Sequence, residues 1–468
     1  MEPRRRLLVA YSNASTFTAT TFEYLDSFRQ YSSWEVHYVH VTHSAEPRIR
    51  LEDYDAVLLS YCARLCFPGY VSVAFIEKLR AFGGVRGVCI QDEYDFVENE
   101  RIALDSIRPD VVFTCIPADQ RELVYPSRRY PNTEFVQVLT GYVPVSVASR
   151  ARATPVRERP IHIGYRARDL GPRYGAFARM KYGIGAAFRD AASARGVPVD
   201  IAMDEKSRIY GSAWYEWLSK CRCVLGTESG SNVFDFDGSI AKACLEHDGR
   251  PLPASIRARI DELDRTFSMG QISARVFEAA VTFTPLALYE GRYSDVIRPH
   301  EHYIPVAPDH SNMDEVFRAI EDTDSLQQMA ERAHARLIGS ELFSYSAFVA
   351  QVESALERRT SRPPVGGVVT AGPPTTDPSR PALDERATSA PRPFDSFLLL
   401  QLRAQLERPT TVARASLVAL LPASVRDRLR RLRNGARAAW HRLPRPLRSS
   451  LARPVGAVRE CALLSWIR

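Results

Sequence analysis

Over its first 360 residues the chain alternates short apolar runs with longer stretches that carry a helical period. Short apolar runs bounded by polar residues are typical of strands buried on both faces, and period-3.6 stretches between them are typical of helices packed on a sheet. The sequence therefore predicts an α/β protein. The predicted strands are Leu7–Tyr11, Val36–Val41, Ala56–Tyr61, Val85–Ile90, Val111–Cys115, Phe135–Leu139, Ile161–Arg166, Val197–Met203, Cys221–Leu225, Leu286–Leu288 and Tyr303–Val306.

The predicted strands fall into two series, which indicates two tandem doubly wound, Rossmann-like domains. We place the first domain at 1–155 and the second at 156–360. Between 361 and 393 there are eight Pro and three Gly in 33 residues, which predicts a disordered linker. Residues 394–468 form a separate tail. A length of 468 residues suits this division, at roughly 150 residues per domain.

Composition places the chain among soluble globular proteins. Hydrophobic residues make up 45% of it, and no apolar run approaches the roughly 20 residues that a membrane-spanning helix needs. The eight cysteines lie mainly in or beside apolar runs and form no repeating framework, so we expect reduced thiols and a cytoplasmic location. The cysteines are Cys62, Cys66, Cys89, Cys115, Cys221, Cys223, Cys244 and Cys461.

The positive charge belongs to the tail. Residues 361–468 hold 19 Arg and 7 acids, a balance of +12 that exceeds the +7 of the whole chain. Within 425–443 an apolar stripe with Trp440 runs along one face of a predicted helix. Such a helix suits an anionic membrane surface on the inner face of a membrane, or packing on the globular body. Nucleic acid is the weakest of the three readings, because aromatic residues do not interleave with the arginines.

One charged pair stands inside an otherwise apolar helix that leads into a strand. Arg275 and Glu278 are three residues apart and share a helix face. The segment R-V-F-E-A-A, followed by Pro285 and a short apolar strand, resembles the donor-site segment of GT-B glycosyltransferases, in particular the CgeB-like (glycosyl transferases group 1) branch. That resemblance covers residues 160–358. It implies that Glu278 bonds the ribose of a nucleotide sugar.

A strand end rich in cations opens the second domain. Arg166, Arg168 and Lys181 lie on or after the strand that ends at Arg166, where forked guanidinium groups and loop amides can neutralise a diphosphate. The alternative is a solvated basic loop. The resemblance implies an Arg and a Lys at this point of the donor domain, and Arg166 and Lys181 match best.

A loop of small polar residues follows the strand Cys221–Leu225. Glu228, Ser229 and Gly230 offer a carboxylate, a hydroxyl and backbone amides to a ligand. The loop leads to Asp235-Phe-Asp237, which we interpret as structural or sugar-binding. We expect neither a metal nor a cofactor, because the nucleotide sugar is a substrate.

Two adjacent acids follow the predicted strand Val85–Ile90. Asp92 or Glu93 would lie at the carboxyl edge of a parallel sheet, where ligands bind, and could act as the base that takes a proton from an acceptor hydroxyl. A solvated surface turn is an equally good interpretation of these residues.

The chain departs from many retaining GT-B enzymes, which have two glutamates eight positions apart. Gly270 stands eight positions before Glu278, so the first acid is missing or is supplied from elsewhere, with Glu228 the candidate. Two functions follow: a glycosyltransferase acting on a polysaccharide, lipid-linked or protein acceptor, and a catalytically inactive GT-B scaffold that binds a nucleotide or a partner.

Overall fold

The computed structural model describes residues 4–12, 15–16, 19–42, 49–143, 154–247 and 250–361. The described residues of Met1–Gly238 and Arg257–Arg392 form one compact unit that contains both sheets. Ser239–Ile256 belongs to a second unit, in which Ser239–Glu246 is helical. The predicted linker from residue 362 and the predicted basic helix at 425–443 lie outside the described residues.

The first sheet has six parallel strands in the order β2-β1-β3-β4-β5-β6. Its strands are β1 Arg6–Tyr11, β2 Glu35–His40, β3 Ala56–Leu59, β4 Val85–Cys89, β5 Val111–Thr114 and β6 Glu134–Gln137. Its helices are α1 Ala19–Tyr31, α2 Val73–Ala81, α3 Val97–Ile107 and the single turn α4 Arg121–Val124.

The second sheet has five parallel strands in the order β11-β10-β9-β7-β8. They are β7 Ile161–Arg166, β8 Val199–Ala202, β9 Cys221–Gly226, β10 Leu286–Tyr289 and β11 Ile304–Val306. The helices that follow in chain order are α5 Gly175–Arg195, α6 Ser212–Leu218, α7 Ser239–Glu246, α8 Ala254–Thr266, α9 Ala274–Val281, α10 Met313–Glu321, α11 Thr323–His334 with a π-helical turn at Ala335–Gly339, and α12 Tyr345–Arg359.

The prediction of two parallel α/β sheets in tandem is confirmed. Each predicted strand is present, with ends shifted by at most two residues. Strands β3, β5 and β10 are buried along their whole length, which explains why they stand out as continuous apolar runs.

The strand order defines where each sheet can bind a ligand. In the first sheet the order reverses between β1 and β3, and in the second between β7 and β9. At such a switch point the connections leave to opposite faces of the sheet, and a crevice opens at the carboxyl ends of the strands. The predicted cation-rich segment begins at the end of β7, and the small polar loop begins at the end of β9, so both flank the second switch point.

The last described helix, α12, packs on the first sheet although it follows the second in sequence. Phe348, Val352 and Leu356 join the same buried cluster as Leu7 and Phe113 of the first sheet. At the start of β2, Glu353 accepts hydrogen bonds from the Ser33 backbone N–H at 2.9 Å and hydroxyl at 3.0 Å. The first core is therefore completed by a segment from the far end of the described chain.

Polar contacts also join the two halves. Arg173 donates to Asp95 at 2.6 Å, and the side-chain amide of Gln271 donates to the Cys115 carbonyl at 3.2 Å. A parallel bridge pairs Asp95 with Asp235. Among the described helices, none is both long enough and apolar enough to span a bilayer.

Replacing Leu356 by Ala tests how much α12 contributes to the first core. Leu356 is fully buried, and its Cδ2 lies 3.0 Å from where a Cβ on Gly87 of β4 would stand, so the site has little room to relax. We expect Leu356→Ala to lower the unfolding free energy by about 2–5 kcal/mol in denaturant titration. Leu342→Ala is the control, because Leu342 is 63% exposed; equal losses from both variants would contradict the packing.

Candidate active site

A cavity of about 260 Å³ lies against the carboxyl ends of β4 and β5. Loops after β4, β5 and β6 form part of its wall, and α1, α9 and α12 supply the rest. Three carboxylates from three different elements line it: Glu23 from α1, Asp92 from the loop after β4, and Glu278 from α9. The cavity thus brings a predicted residue of the first half together with one of the second.

Asp92 lies in this wall with a left-handed backbone conformation, φ 59°. This conformation is uncommon for residues other than glycine, although Asp and Asn adopt it more readily than most. The Tyr94 hydroxyl donates to Asp92 Oδ1 at 2.8 Å, and Arg64 lies 3.4 Å from Oδ2. The side chain remains 45% exposed, so it can still meet a ligand.

Glu93 points elsewhere, which corrects its prediction as a candidate base. Its carboxylate is buried and accepts from the Thr114 hydroxyl at 2.6 Å, the Cys115 backbone N–H at 2.7 Å and the Tyr125 hydroxyl at 2.9 Å. The Tyr125 hydroxyl also contacts the buried carboxyl of Glu100. Glu93 therefore holds the ends of β4 and β5 together, and of the two acids only Asp92 lines the cavity.

Arg275 spans the switch point of the second sheet. Its guanidinium donates to the Arg166 carbonyl at the end of β7, at 2.6 Å, and to the Leu225 carbonyl in β9, at 3.2 Å. It also lies over the rings of Tyr165 and Trp214, 5.2 and 5.7 Å from their centroids. Arg275 thus joins the ends of two adjacent strands, and it brings a fixed positive charge to the crevice.

Glu278 lies one turn further along α9, a helix that begins at the N-cap Ser273. Its Oε2 accepts a hydrogen bond from the indole N–H of Trp214 at 2.8 Å. Burial raises the pKa of the Glu278 carboxyl, while the Trp214 hydrogen bond and the nearby Arg275 oppose that rise. Because only Oε2 has a hydrogen bond within the described chain, Oε1 is available to a ligand.

Lys181 approaches the same crevice from α5. The pKa of Lys181 is lowered to about 8, chiefly by burial and also by the charge of Arg275, while the charge of Asp92 acts in the opposite direction. The Asp92 effect crosses from one half to the other, so these two predicted residues are close enough for their charges to interact. The positive charge of Arg168 also acts on Lys181, and the Arg168 side chain is exposed.

Arg166 has other partners than the predicted phosphate. Its guanidinium pairs with the Asp200 carboxylate at 2.7 Å, donates to the Asp200 carbonyl at 2.8 Å, and lies 4.7 Å from the Trp217 ring centroid. Sequence reasoning placed Arg166 correctly at the end of β7 but could not show that its side chain turns towards β8.

Glu228 occupies the space beside Gly270, where many retaining GT-B enzymes carry their first glutamate. A Cβ on Gly270 would lie 3.2 Å from Glu228 Oε1, and a Cβ on Gly291 would lie 2.6 Å from the same atom. That oxygen accepts from the backbone N–H groups of Arg292 at 2.6 Å and Tyr293 at 3.1 Å. The two glycines therefore leave room for a carboxylate supplied by the loop after β9.

The neighbouring predicted residues form the rest of that loop. The Ser229 backbone pairs with Gln271, with an N–H to carbonyl distance of 2.8 Å. Gly230 has φ 84°, and a Cβ there would lie 2.5 Å from the Gln271 Oε1, so only glycine fits. Asp235 is buried in the bridge to Asp95, in agreement with a structural role.

The described residues contain no group of three or more His, Cys, Asp or Glu side chains placed to hold a metal ion. Sequence reasoning missed Trp214, Arg64 and Gln91, which contact or accompany the predicted residues. Trp214 lies four residues before Leu218 in an aromatic segment, SAWYEWL, that reads as an ordinary amphipathic helix. Its neighbour across the crevice, Glu278, is 64 positions away, so no local pattern could have joined them.

No protein-family model matches this chain, and no curated protein sequence does. Among solved structures, it is similar to an alpha-glucosyltransferase (AGT) in complex with UDP, at 11% identity, 75% coverage of this chain, 98% of that chain and a TM-score of 0.45. It is also similar to T4 phage BGT in complex with UDP-glucose, at 11% identity, 76% coverage of this chain, 100% of that chain and a TM-score of 0.44. A third similar structure is Anabaena HepE in complex with UDP, at 12% identity, 76% coverage of this chain, 100% of that chain and a TM-score of 0.42. At these scores the similarity does not define a family.

The buried pair Glu93 and Glu100 predicts a pH-dependent stability. Burial raises the pKa of both carboxyls, and the charge of Glu93 raises that of Glu100 further, so the folded protein retains a proton that the unfolded chain releases above about pH 4.5. The folded state then binds more protons, and the unfolding free energy falls as pH rises towards about 8, the raised pKa of Glu100.

We expect Glu100→Gln to make this fall shallower, by at most about 1.4 kcal/mol per pH unit. Denaturant titrations between pH 5 and 8.5 measure the slope. Glu77→Gln, on the exposed side of α2, is the control and should keep the parent slope. An unchanged slope in the Glu100 variant would show that the pair does not retain the proton.

Proposed function

We propose that this chain is a nucleotide-sugar-dependent glycosyltransferase of the GT-B type. The donor nucleotide sugar binds at the switch point of the second sheet, and the acceptor approaches from the first. The acceptor class we propose is a hydroxyl of a polysaccharide, a lipid-linked glycan or a protein. A cytoplasmic location, with the basic segment 425–443 on an anionic membrane surface, belongs to the same proposal.

The observation that carries the proposal is that positive charge at the switch point of the second sheet lies opposite a carboxylate from the loop after β4. Lys181 and Arg275 bring positive charge to the carboxyl edge of the second sheet, and Asp92 faces them from the first. A crevice of this kind can hold a diphosphate on its positive side while a carboxylate on the other side takes a proton. Arg168 is exposed beside Lys181 and supplies further charge.

Each predicted group then has a role in the transfer. The acceptor oxygen forms a bond to the anomeric carbon of the sugar as the bond from that carbon to the diphosphate oxygen breaks. Asp92 takes the proton of the acceptor hydroxyl, and Lys181 with Arg168 stabilises the charge that develops on the leaving nucleoside diphosphate. Glu278 accepts from the ribose, and Glu228, beside Gly270, accepts from hydroxyls of the sugar.

A thermal-shift screen against UDP-, GDP-, dTDP- and CMP-sugars tests the proposal. A ligand present at 100 times its dissociation constant should stabilise the folded state by about 2.7 kcal/mol. Hydrolysis of the selected donor without an acceptor then separates an enzyme from the inactive scaffold. Stabilisation without any turnover would favour the scaffold, and the absence of stabilisation by all four classes would contradict both.

Lys181 gives a prediction with its own pH signature. Lys181→Ala removes a charge-assisted contact to the diphosphate and should weaken nucleoside diphosphate binding by about 1.5–3 kcal/mol, measured by calorimetry. Because the pKa of Lys181 is lowered to about 8, affinity in the parent should also fall as pH rises through that value. Lys181→Arg stays charged and should flatten the alkaline limb.

Lys220→Ala is the matched control, since Lys220 is exposed and directly precedes β9, at the opposite edge of the sheet. Equal affinities for the parent and Lys181→Ala would remove Lys181 from the diphosphate site.

Asp92 gives the second prediction. Asp92→Asn keeps the shape and tolerates the left-handed conformation but cannot take a proton. We expect kcat for transfer to fall by about 10²–10⁴-fold with donor affinity nearly unchanged. Asp190→Asn is the control, since Asp190 is 79% exposed on the outside of α5. Parent-like kcat in Asp92→Asn would assign the proton transfer to another group.

A further inference from the structure

Two stacked tryptophans connect the predicted ribose acceptor to the arginine at the end of β7. The rings of Trp214 and Trp217 lie 5.1 Å apart at 20° in α6. Trp214 donates to Glu278, and the Trp217 indole N–H donates to the Asp200 carboxylate at 2.7 Å. Asp200 in turn pairs with Arg166, whose guanidinium lies over Trp217.

The sequence makes room for this stack at one position. Gly164 lies in the middle of β7, and a Cβ there would stand 2.9 Å from the ring of Trp217 and 2.5 Å from Cys221 Sγ. The Trp217 ring is therefore held against the strand itself, with 7% of the residue exposed. A ring fixed in this way fixes the ring stacked on it.

We propose that Trp214 is a positioning residue for Glu278, and that Arg166 and Asp200 act through Trp217 to hold Trp214 in place. The inference rests on the proposed function, because it concerns the nucleotide site named there. The indole N–H occupies Oε2 of Glu278 and directs Oε1 towards the ligand, which we take to be the vicinal hydroxyls of a ribose in a nucleoside diphosphate.

Loss of the hydrogen bond from Trp214 to Glu278 should weaken ligand binding. A carboxylate with a single fixed oxygen can present the other at one angle, whereas a free carboxylate rotates about its last bond and must be ordered on binding. Loss of the N–H also removes a donor that favours the ionised form. The pKa of Glu278 should then rise further. As the pH is lowered, ribose binding that needs the carboxylate should therefore be lost at a higher pH than in the parent.

Several groups face Glu278 and belong in the interpretation of any pH profile. Arg275 is on the same helix, and Glu23 of α1 and Asp92 after β4 are the other carboxylates of the cavity. Tyr215 of α6 and Tyr345 of α12 are affected by the charge of Glu278, and the pKa of each is raised by burial. Arg275 also lies over the Trp214 ring, so the substitution used at Trp214 keeps an aromatic side chain there.

Trp214→Phe tests the inference, because it removes the N–H and keeps an aromatic ring on Trp217. The probes are UDP and 2′-deoxy-UDP, or GDP and 2′-deoxy-GDP where the donor screen selects guanosine. We expect the parent to prefer the ribose form, Glu278→Gln to lose most of that preference, and Trp214→Phe to lose roughly 3- to 10-fold of it, in line with one hydrogen bond. The acidic limb of binding should move to higher pH in Trp214→Phe.

Trp34→Phe is the matched control. Its indole N–H donates to the Glu357 carboxylate at 3.3 Å, so the variant loses the same kind of bond at a distant place in the first half. It should keep the parent preference and the parent pH profile. A general loss of stability would affect both variants and both nucleotides alike.

Arg166→Gln separates the relay from direct phosphate contact. If Arg166 acts through the tryptophans, the ratio between ribose and deoxyribose binding falls and affinity for the deoxy form stays close to the parent value. Equal loss for both nucleotides would restore the phosphate role and remove Arg166 from the relay. Combined with Trp214→Phe, Arg166→Gln should add little further change in the ratio.

The outcomes distinguish the inference from the function on which it rests. If the parent binds none of the nucleotides, the proposed function fails and the inference fails with it. If Glu278→Gln loses the ribose preference and Trp214→Phe keeps both the preference and the pH profile of the parent, the function stands and the positioning role of Trp214 is rejected.

Discussion

The guanidinium of Arg275 closes the edge of the second sheet, and the rest of the site is arranged around it. Arg275 lies at the carboxyl ends of β7 and β9, where the crevice of the second sheet opens. From α9, its guanidinium donates to one carbonyl of each strand, those of Arg166 in β7 and Leu225 in β9. The same residue lowers the pKa of Lys181 and opposes the rise in that of Glu278, so its charge acts on two of the groups that we assign to the donor.

Backbone conformation decides which of two adjacent acids faces the cavity. Asp92 has a left-handed backbone conformation, φ 59°, and its side chain lies in the cavity wall. Tyr94 and Arg64 contact it there. Glu93, one residue later, points back between the ends of β4 and β5 and is fully enclosed by donors. A single left-handed residue thus separates a group suited to chemistry from one suited to holding strands together.

The sequence was sufficient for the elements and insufficient for side-chain directions. Strands buried on both faces write continuous apolar runs, so β3 and β9 could be placed from the printed residues alone. The position of Asp92 directly after β4 followed from the same pattern. The partners of Arg166 did not, because Asp200 and Trp217 come from other elements and only the folded backbone brings them within reach. The Glu228 carboxylate beside Gly270 was foreseen as a hypothesis and depends on two distant glycines.

The return of α12 to the first sheet makes the second sheet an insertion within the first. Residues that complete the first core, such as Phe348 and Leu356, are synthesised only after the whole second sheet. On the ribosome, the first sheet therefore emerges with one apolar face only partly covered, by α1, while about two hundred further residues are made, at a rate of roughly 5–20 residues per second. The core of the first sheet is completed only when α12 has been made, and α12 follows the second sheet in sequence. The half that is translated first is therefore the half that completes its core last.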